Sequence, residues 1–286
     1  MKKLTYLFPL ILIFFSGCVQ LPFQTSFQQQ AKDVKTELRV DTTNIQAGGK
    51  VGVSIIIENY ADFEIRNISA KIYGPPGWEG ELGVTRTYST ILYPETGYEF
   101  LWKLKAPSNV EYKKYYQIFA DLKYNGYNKK RAIITGVSYD YYKRIGGSSG
   151  ITSSNSLGGP IEIDIVPYQT QLIAYEGDML SFKFAVIISN KGRGKSCSDY
   201  FSLNCSDEKV NKVLFSFKKE TSNIEITCEK NKEINLIKSG SYAHFDCIGN
   251  LTDVKEVSTQ IVEFLVNYTY IETLSSPSIA VEPIIL

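Results

Sequence analysis

The chain has 286 residues, 43% of them hydrophobic and 21% charged, with 31 basic and 30 acidic side chains and a net charge of +1. That composition excludes a disordered chain, and the near-neutral balance supplies no long-range field to attract nucleic acid or an anionic membrane surface. The 20 Tyr and 15 Phe, beside frequent Ile and Val, favour pleated, half-buried surfaces over helices.

Residues 1–17 have the parts of a secretory signal: Lys2 and Lys3, an apolar run from Leu4 to Phe15, then the small residues Ser16 and Gly17. The run is too short to span a bilayer, which takes roughly 20 apolar residues. A cysteine follows at once. Phe15-Ser16-Gly17-Cys18 resembles a lipoprotein lipobox, departing from it at Phe15, where that pattern has Leu. The resemblance implies that Cys18 is lipidated and becomes the first mature residue, with more than one acyl chain for stable anchoring. An uncleaved signal anchor and simple secretion are the other readings, and all three export the rest of the chain. Residues 18–34, Gln-rich and without periodicity, read as a tether that lifts the folded part from the membrane.

From residue 35 onward, alternation with period 2 dominates. Val51, Val53, Ile55 and Ile57 share one face, as do Tyr98, Phe100, Trp102 and Leu104, and then Tyr116, Ile118, Ala120, Leu122 and Tyr124. The pair Asn125-Gly126 predicts a hairpin turn, because a type I′ turn needs φ > 0 at both central residues. The following Tyr127–Arg131 run, YNKKR, reads as a charged edge that keeps a strand from pairing. Residues 144–160 are rich in Gly and Ser, which predicts a flexible joint between two bodies. Alternation then resumes at Leu180, Phe182, Phe184, Val186 and Ile188, and at Val262, Phe264, Val266, Tyr268 and Tyr270. No stretch carries a sustained helical stripe.

The halves follow one order: an extended segment, a Gly turn, a long apolar strand closed by Asn59 or Asn190, and a final aromatic-rich pair of strands. This reads as a divergent tandem repeat, with the strand number and turn spacing of a sandwich. The expected fold is all-β: two tandem immunoglobulin-like β-sandwich domains, residues 35–143 and 161–286, after the signal and lipid-anchor segment. Both halves resemble the Ig-like modules of archaeal and bacterial cell-surface proteins called CARDB-like or S-layer-associated domains. The residues that carry the resemblance are the Asn closing the second strand, the stretch LYPETGYEFLWKLKAPS (92–108) and the final Tyr-rich hairpin. The resemblance implies a sandwich outside the cell with a role in adhesion or assembly, and it carries over no active site.

Four cysteines remain, Cys197, Cys205, Cys228 and Cys247, all in the second half. An even count in an exported domain reads as two disulfides. Cys197–Cys205 and Cys228–Cys247 are favoured among the three pairings because each closes a local loop or hairpin. Zinc is the sharper alternative, but there is no C-x-x-C and His244 is the only histidine. Glycosylation sequons occur at Asn67, Asn204, Asn250 and Asn267, and alternation points Asn67 and Asn267 toward solvent.

Nothing assembles a catalytic set. No G-x-S-x-G elbow accompanies His244, no D-x-D run offers a calcium loop, and GKVGVS lacks the spacing of a phosphate loop. The surface candidates are aromatic: Trp78 on a Pro/Gly loop, and Tyr112, Tyr115, Tyr139, Tyr141 and Tyr142 near strand ends or the joint. Trp78 either meets a partner or folds back to cap its own sandwich, and Tyr139 to Tyr142 either meet a partner or pack the two units together. The function expected is therefore non-enzymatic and without cofactor: a membrane-anchored surface protein, structural in the envelope or presenting itself to another surface protein or envelope polymer. A carbohydrate-binding module stacking ligand on Trp78 and loop tyrosines, and a filament subunit that lends an N-terminal strand to a neighbour, are the alternatives.

Overall fold

Side chains alternating between apolar and polar can bury one face of a strand and solvate the other, and this pattern produces nearly every element. The computed structural model describes residues 33–175, 179–200, 202–230 and 232–284. The signal segment, Cys18 and almost all of the tether lie outside the described residues.

The first half contains β1 (Val34–Val40), β2 (Asn44–Gln46), β3 (Lys50–Asn59), β4 (Arg66–Tyr73), β5 (Glu79–Gly80), β6 (Thr85–Tyr88), β7 (Thr96–Lys105), β8 (Lys114–Tyr116) and β9 (Phe119–Ser138). A short helix, α1 (Tyr139–Ile145), and β10 (Gly150–Ser153) lead into the second half. There follow β11 (Ile161–Pro167), β12 (Ile173–Ala174), β13 (Leu180–Asn190), β14 (Lys195–Cys197), β15 (Lys212–Lys219), β16 (Ile224–Cys228), β17 (Lys232–Asn235), β18 (Tyr242–Leu251), β19 (Val257–Ser275) and β20 (Ile279–Glu282).

Two four-stranded sheets, β1-β3-β7-β5 and β11-β13-β18-β16, have matching strand orders. Between the halves runs a nine-stranded sheet whose main path is β17-β15-β19-β9-β4-β6. Its axis is the antiparallel pair β9–β19, in which all 19 residues of β19 find partners, from Val257 opposite Val137 to Ser275 opposite Phe119. At about 3.4 Å per residue these strands extend roughly 60 Å. Their even-numbered residues are buried along both halves: Ala120, Leu122, Tyr124, Ala132 and Ile134 on β9, and Val262, Phe264, Val266, Tyr268 and Tyr270 on β19. Each small sheet covers part of that face. Phe184 meets Phe264 at 5.7 Å and Phe245 meets Phe215 at 5.1 Å in the second half, while Trp102 on β7 donates to the Val84 carbonyl in the first.

The structure is thus all-β and sandwiched, but the two sandwiches are not separate beads. They share their longest strands. In addition β20, at the end of the second half, joins β2 and β8 of the first in a three-stranded sheet. The Gly/Ser-rich segment is correspondingly not a free joint: its β10 pairs with residues 132–135 of β9. The described residues form one compact unit.

The Asn125-Gly126 turn does not form. Both residues lie inside β9 because partners on either side outweigh the local turn preference. Gly126 sits against Tyr268, where a Cβ would come within 2.9 Å of the ring. The Asn125 amide donates to the Tyr200 carbonyl, and its carbonyl accepts from Thr269 Oγ1 at 2.9 Å. For the same reason YNKKR is no free edge. Lys129, Lys130 and Arg131 form ion pairs with Glu263, Asp164 and Glu220.

The repeat is visible in detail at the two asparagines. Asn59 Oδ1 accepts from the Ala61 N–H and its Nδ2 donates to the Phe63 carbonyl; Asn190 makes the same two bonds with Gly192 and Gly194. Each side chain closes the turn after its strand by satisfying one donor and one acceptor that burial would otherwise leave unpaired.

Because the halves share the β9–β19 ladder, unfolding should be one cooperative event. Denaturant titration should give a single transition by both fluorescence and circular dichroism. Gly126→Val should move that whole transition to lower denaturant, by about 1–3 kcal/mol for overpacking against Tyr268. Two separated transitions, only one of them shifted, would contradict the shared sheet.

Candidate functional site

Where the two small sheets stand side by side over the long sheet, they leave a cleft of about 440 Å³. Its floor is Tyr124 from β9 and Tyr270 and Glu272 from β19. One wall is the start of β1 (Asp33–Glu37), and the other is Pro160 with the turn Lys191–Arg193. Alternation fixes the floor: Tyr270 and Glu272 are successive inward positions on β19 and stand where sandwich core gives way to solvent.

Glu272 is half-buried, and its carboxyl titrates above the ordinary carboxylate range. Burial is the main cause, opposed by a hydrogen bond from Thr36 Oγ1 (2.7 Å) and by the nearby Arg193 charge. Tyr270 donates to Asn190 Oδ1 at 3.2 Å and accepts from the Gly194 N–H at 2.7 Å. Burial pushes its phenol well up, so it remains neutral. The cleft therefore offers fixed acceptors, a guanidinium, and the outer edge of β1. Antiparallel pairing directs the backbone of Lys35, Glu37 and Arg39 to β3, a register marked by the Asp41 N–H donating to the Gly52 carbonyl and by the Asp33 carbonyl accepting from the N–H of Tyr60, just beyond that strand. The N–H and C=O groups of Thr36 and Leu38 then point along the free edge.

A second construction lies on the opposite face of the long sheet. Both disulfides join the favoured partners, Cys197–Cys205 and Cys228–Cys247. The first closes a loop that straps the outer face at the middle of the ladder, where Lys123 and Asn125 donate to the carbonyls of Leu203 and Tyr200. The second links directly opposed residues of β16 and β18. At the root of the strap, Glu233 accepts from Ser198 (2.8 Å), Lys209 (2.5 Å) and Lys212 (2.9 Å). These bonds lower its pKa to about 2, those from Lys209 and Lys212 having the largest effect.

The aromatic candidates separate. Trp78 is buried and packs edge-on to Tyr116 at 5.8 Å, so it caps its own sandwich and is not presented to a partner. Tyr112 and Tyr115 are 63% and 67% exposed, with Lys114 and Lys113 beside their rings. Tyr139, Tyr141 and Tyr142 lie half-buried on α1 at the far end of β9, and Tyr139 packs on Tyr175 at 5.2 Å. The alternation pattern gives no sign of this helix, although it carries an N-cap, Ser138, and a left-handed C-cap, Gly146 with φ 68°. Among the sequons, Asn67 and Asn204 are exposed. Asn250 and Asn267 are half-buried within strands, Asn267 on the outer face between Tyr127 and Leu214. His244 is an exposed strand residue paired with Ile187. Among the described residues, no cluster of His, Cys, Asp or Glu is arranged to hold a metal ion.

No family model and no curated protein matches this chain. Two solved structures with weak similarity are the secreted serine protease VesC from Vibrio cholerae and red sea bream transglutaminase. The first has 9% identity and a TM-score of 0.22, covering 84% of this chain and 51% of that one. The second has 7% identity and a TM-score of 0.22, covering 88% of this chain and 31% of that one. The chain thus spans about half the length of the first and a third of the second, and likeness this slight transfers neither fold nor activity.

The Glu233 cluster sets an acid limb. Its folded pKa lies below the ordinary 4.5, so its stabilisation is complete above about pH 4.5 and is lost as pH falls through the folded value. Glu233→Gln should flatten the fall in stability between pH 4.5 and 2 in denaturant titrations. An unchanged acid limb would show that Glu233 does not anchor the strap.

Proposed function

We propose that this chain is an exported, membrane-anchored, non-enzymatic surface protein that holds a partner at a fixed distance from the bilayer. The carrying observation is the continuous β9–β19 ladder, which turns two sandwiches into one stiff body roughly 60 Å along its long strands. A body of that kind suits a positional role, in which the anchor localises it and its ends present side chains. Two disulfides fit an oxidising environment outside the cytoplasm. No helix among the described residues is long and apolar enough to cross a membrane; the attachment on this reading is the lipid on Cys18 that the lipobox resemblance implies. The resemblance to CARDB-like modules of cell-surface proteins favours the same role, with another surface protein or an envelope polymer as partner.

The exposed tyrosines with adjacent lysines, Tyr112 and Tyr115, are the best remaining contact residues for that partner. A glycan-stacking role loses its strongest residue with the burial of Trp78.

Mass spectrometry of the protein extracted from cell membranes tests the reading. The mature chain should begin at Cys18, carry acyl chains, and partition with the membrane fraction until detergent is added. Cys18→Ser should release it into the soluble exported fraction. An unprocessed chain in the cytosol with reduced thiols would overturn the proposal.

A further inference from the structure

The repeat can be followed from the two asparagines, and it isolates the strap as an insertion. Val34 pairs with Asn59 and Ile161 with Asn190. Arg66 and Cys197 lie equally far beyond those asparagines, and they pair with Asn125 and Thr269. The chain then rejoins the long sheet at Ser69, opposite Lys123, and at Leu214, opposite Asn267. The same register matches Asn128 with Glu272. Between those points the first half has only Asn67 and Ile68, at a β-bulge, where the second has residues 198–213.

The two exposed sequons fall in these equivalent breaks, and they are built differently. A sequon is read through its asparagine and the hydroxyl two residues on, and it serves as an acceptor on a surface loop. Asn67 lies within β4, where Ile68 is buried and Ser69 pairs with Lys123 on one side and Thr87 on the other. Asn204 stands outside any strand, and Ser206 is exposed with it. The residue between them, Cys205, is pinned by its bridge to Cys197, and the Leu203 carbonyl accepts from Lys123 Nζ at 3.3 Å. This acceptor is thus held open on a fixed loop. The remaining two are closed by the fold: Thr269 is buried with its hydroxyl on Asn125, and Asn250 sits in β18 between Ser181 and Glu225.

A groove of about 250 Å³ begins at Asn204. Its floor consists of outward positions of the first half, Lys71 and Tyr73 on β4 and Asp121 on β9, and Thr85 of β6 lines it beyond β4. Tyr73 is 40% exposed, with Lys71 Nζ 5.1 Å from its ring centroid. Asp121 accepts from Thr273 Oγ1 at 3.0 Å and has acceptor capacity to spare. A lysine donor, a carboxylate acceptor, a hydroxyl and an aromatic ring together suit a sugar, which carries hydroxyls at its rim and C–H groups on its faces.

We propose that Asn204 carries an N-linked glycan whose first sugars lie in this groove, against Tyr73 and between Lys71 and Asp121. The linkage makes the contact intramolecular, so interactions too weak to hold a free sugar are enough to seat a tethered one. The assignment rests on the export in the proposed function, since such sugars are added to exported chains.

Peptide mapping by mass spectrometry, on protein isolated from the membranes of its own cells, tests it. Peptides containing Asn204 should carry the added glycan mass, and those containing Asn67, Asn250 and Asn267 should not. Asn204→Gln and Ser206→Ala should each remove it. In the folded protein, acetylation of Lys71 should be at least about threefold slower in the wild type than in Asn204→Gln, while Lys183, exposed on β13, reacts equally in both. A chain that begins at Cys18 but is unmodified at Asn204 would overturn this assignment and leave the proposed function intact. An unprocessed cytosolic chain would overturn both. Equal acetylation of Lys71 in the two proteins would overturn the seat in the groove.

Discussion

The pairing of β9 with β19 is the constraint on which the other features depend. A sandwich normally closes with strands of about the length of its own core. Here two strands continue past the first core and into the second, so every residue near the junction must serve two bodies. Gly126 is glycine because Tyr268 occupies the space a side chain would need. Asn125 is buried on the opposite face because the disulfide-closed strap covers it, and its two bonds replace the water it gives up. Removing the ladder would leave two small sheets with half their apolar faces uncovered, and neither half would then bury a complete core.

Period-2 alternation made the inward faces legible, because a strand that hides one side can hardly be written otherwise. Val51, Val53, Ile55 and Ile57, and then Phe182, Phe184, Val186 and Ile188, are buried as their spacing demands. The disulfides were legible for a related reason: each pair is close in sequence, and closing a local loop asks little of the rest of the chain. What alternation does not encode is which strand lies beside which. Asn-Gly marks a hairpin only where the flanking segments pair with each other, and here both flanks pair with a strand well over a hundred residues away. The Gly/Ser-rich stretch misleads in the same manner. Its composition suits flexibility, yet β10 and Asn128 give its backbone partners.

The cleft was not legible at all. Tyr270 and Glu272 are ordinary members of an alternating strand, and Arg193 sits in a Gly-rich turn with nothing to distinguish it from a solvated cation. They become a site only when matching strand orders bring the edge of one small sheet beside a turn of the other over a shared floor. The sequence did carry one usable signal, the repeated Asn59 and Asn190. With the register known, those two residues act as fiducial points that align everything around them.

Alignment on those points also shows two differences between the halves at the junction. The second half acquired a disulfide strap across the outer face. On the inner face an amide clasp in one half corresponds to a carboxyl in the other. An amide both donates and accepts, so Asn128 can hold carbonyls and an N–H together and lock a connection permanently. An ionised carboxyl only accepts. At Glu272 it is half-buried, opposed by desolvation and supported by a hydroxyl and a nearby guanidinium. Such a group gains most from one more N–H donor, because each added bond offsets part of the cost of burying its charge. Of the two equivalent corners, the one built on asparagine is closed by its own connection, and the one built on glutamate opens onto the cleft.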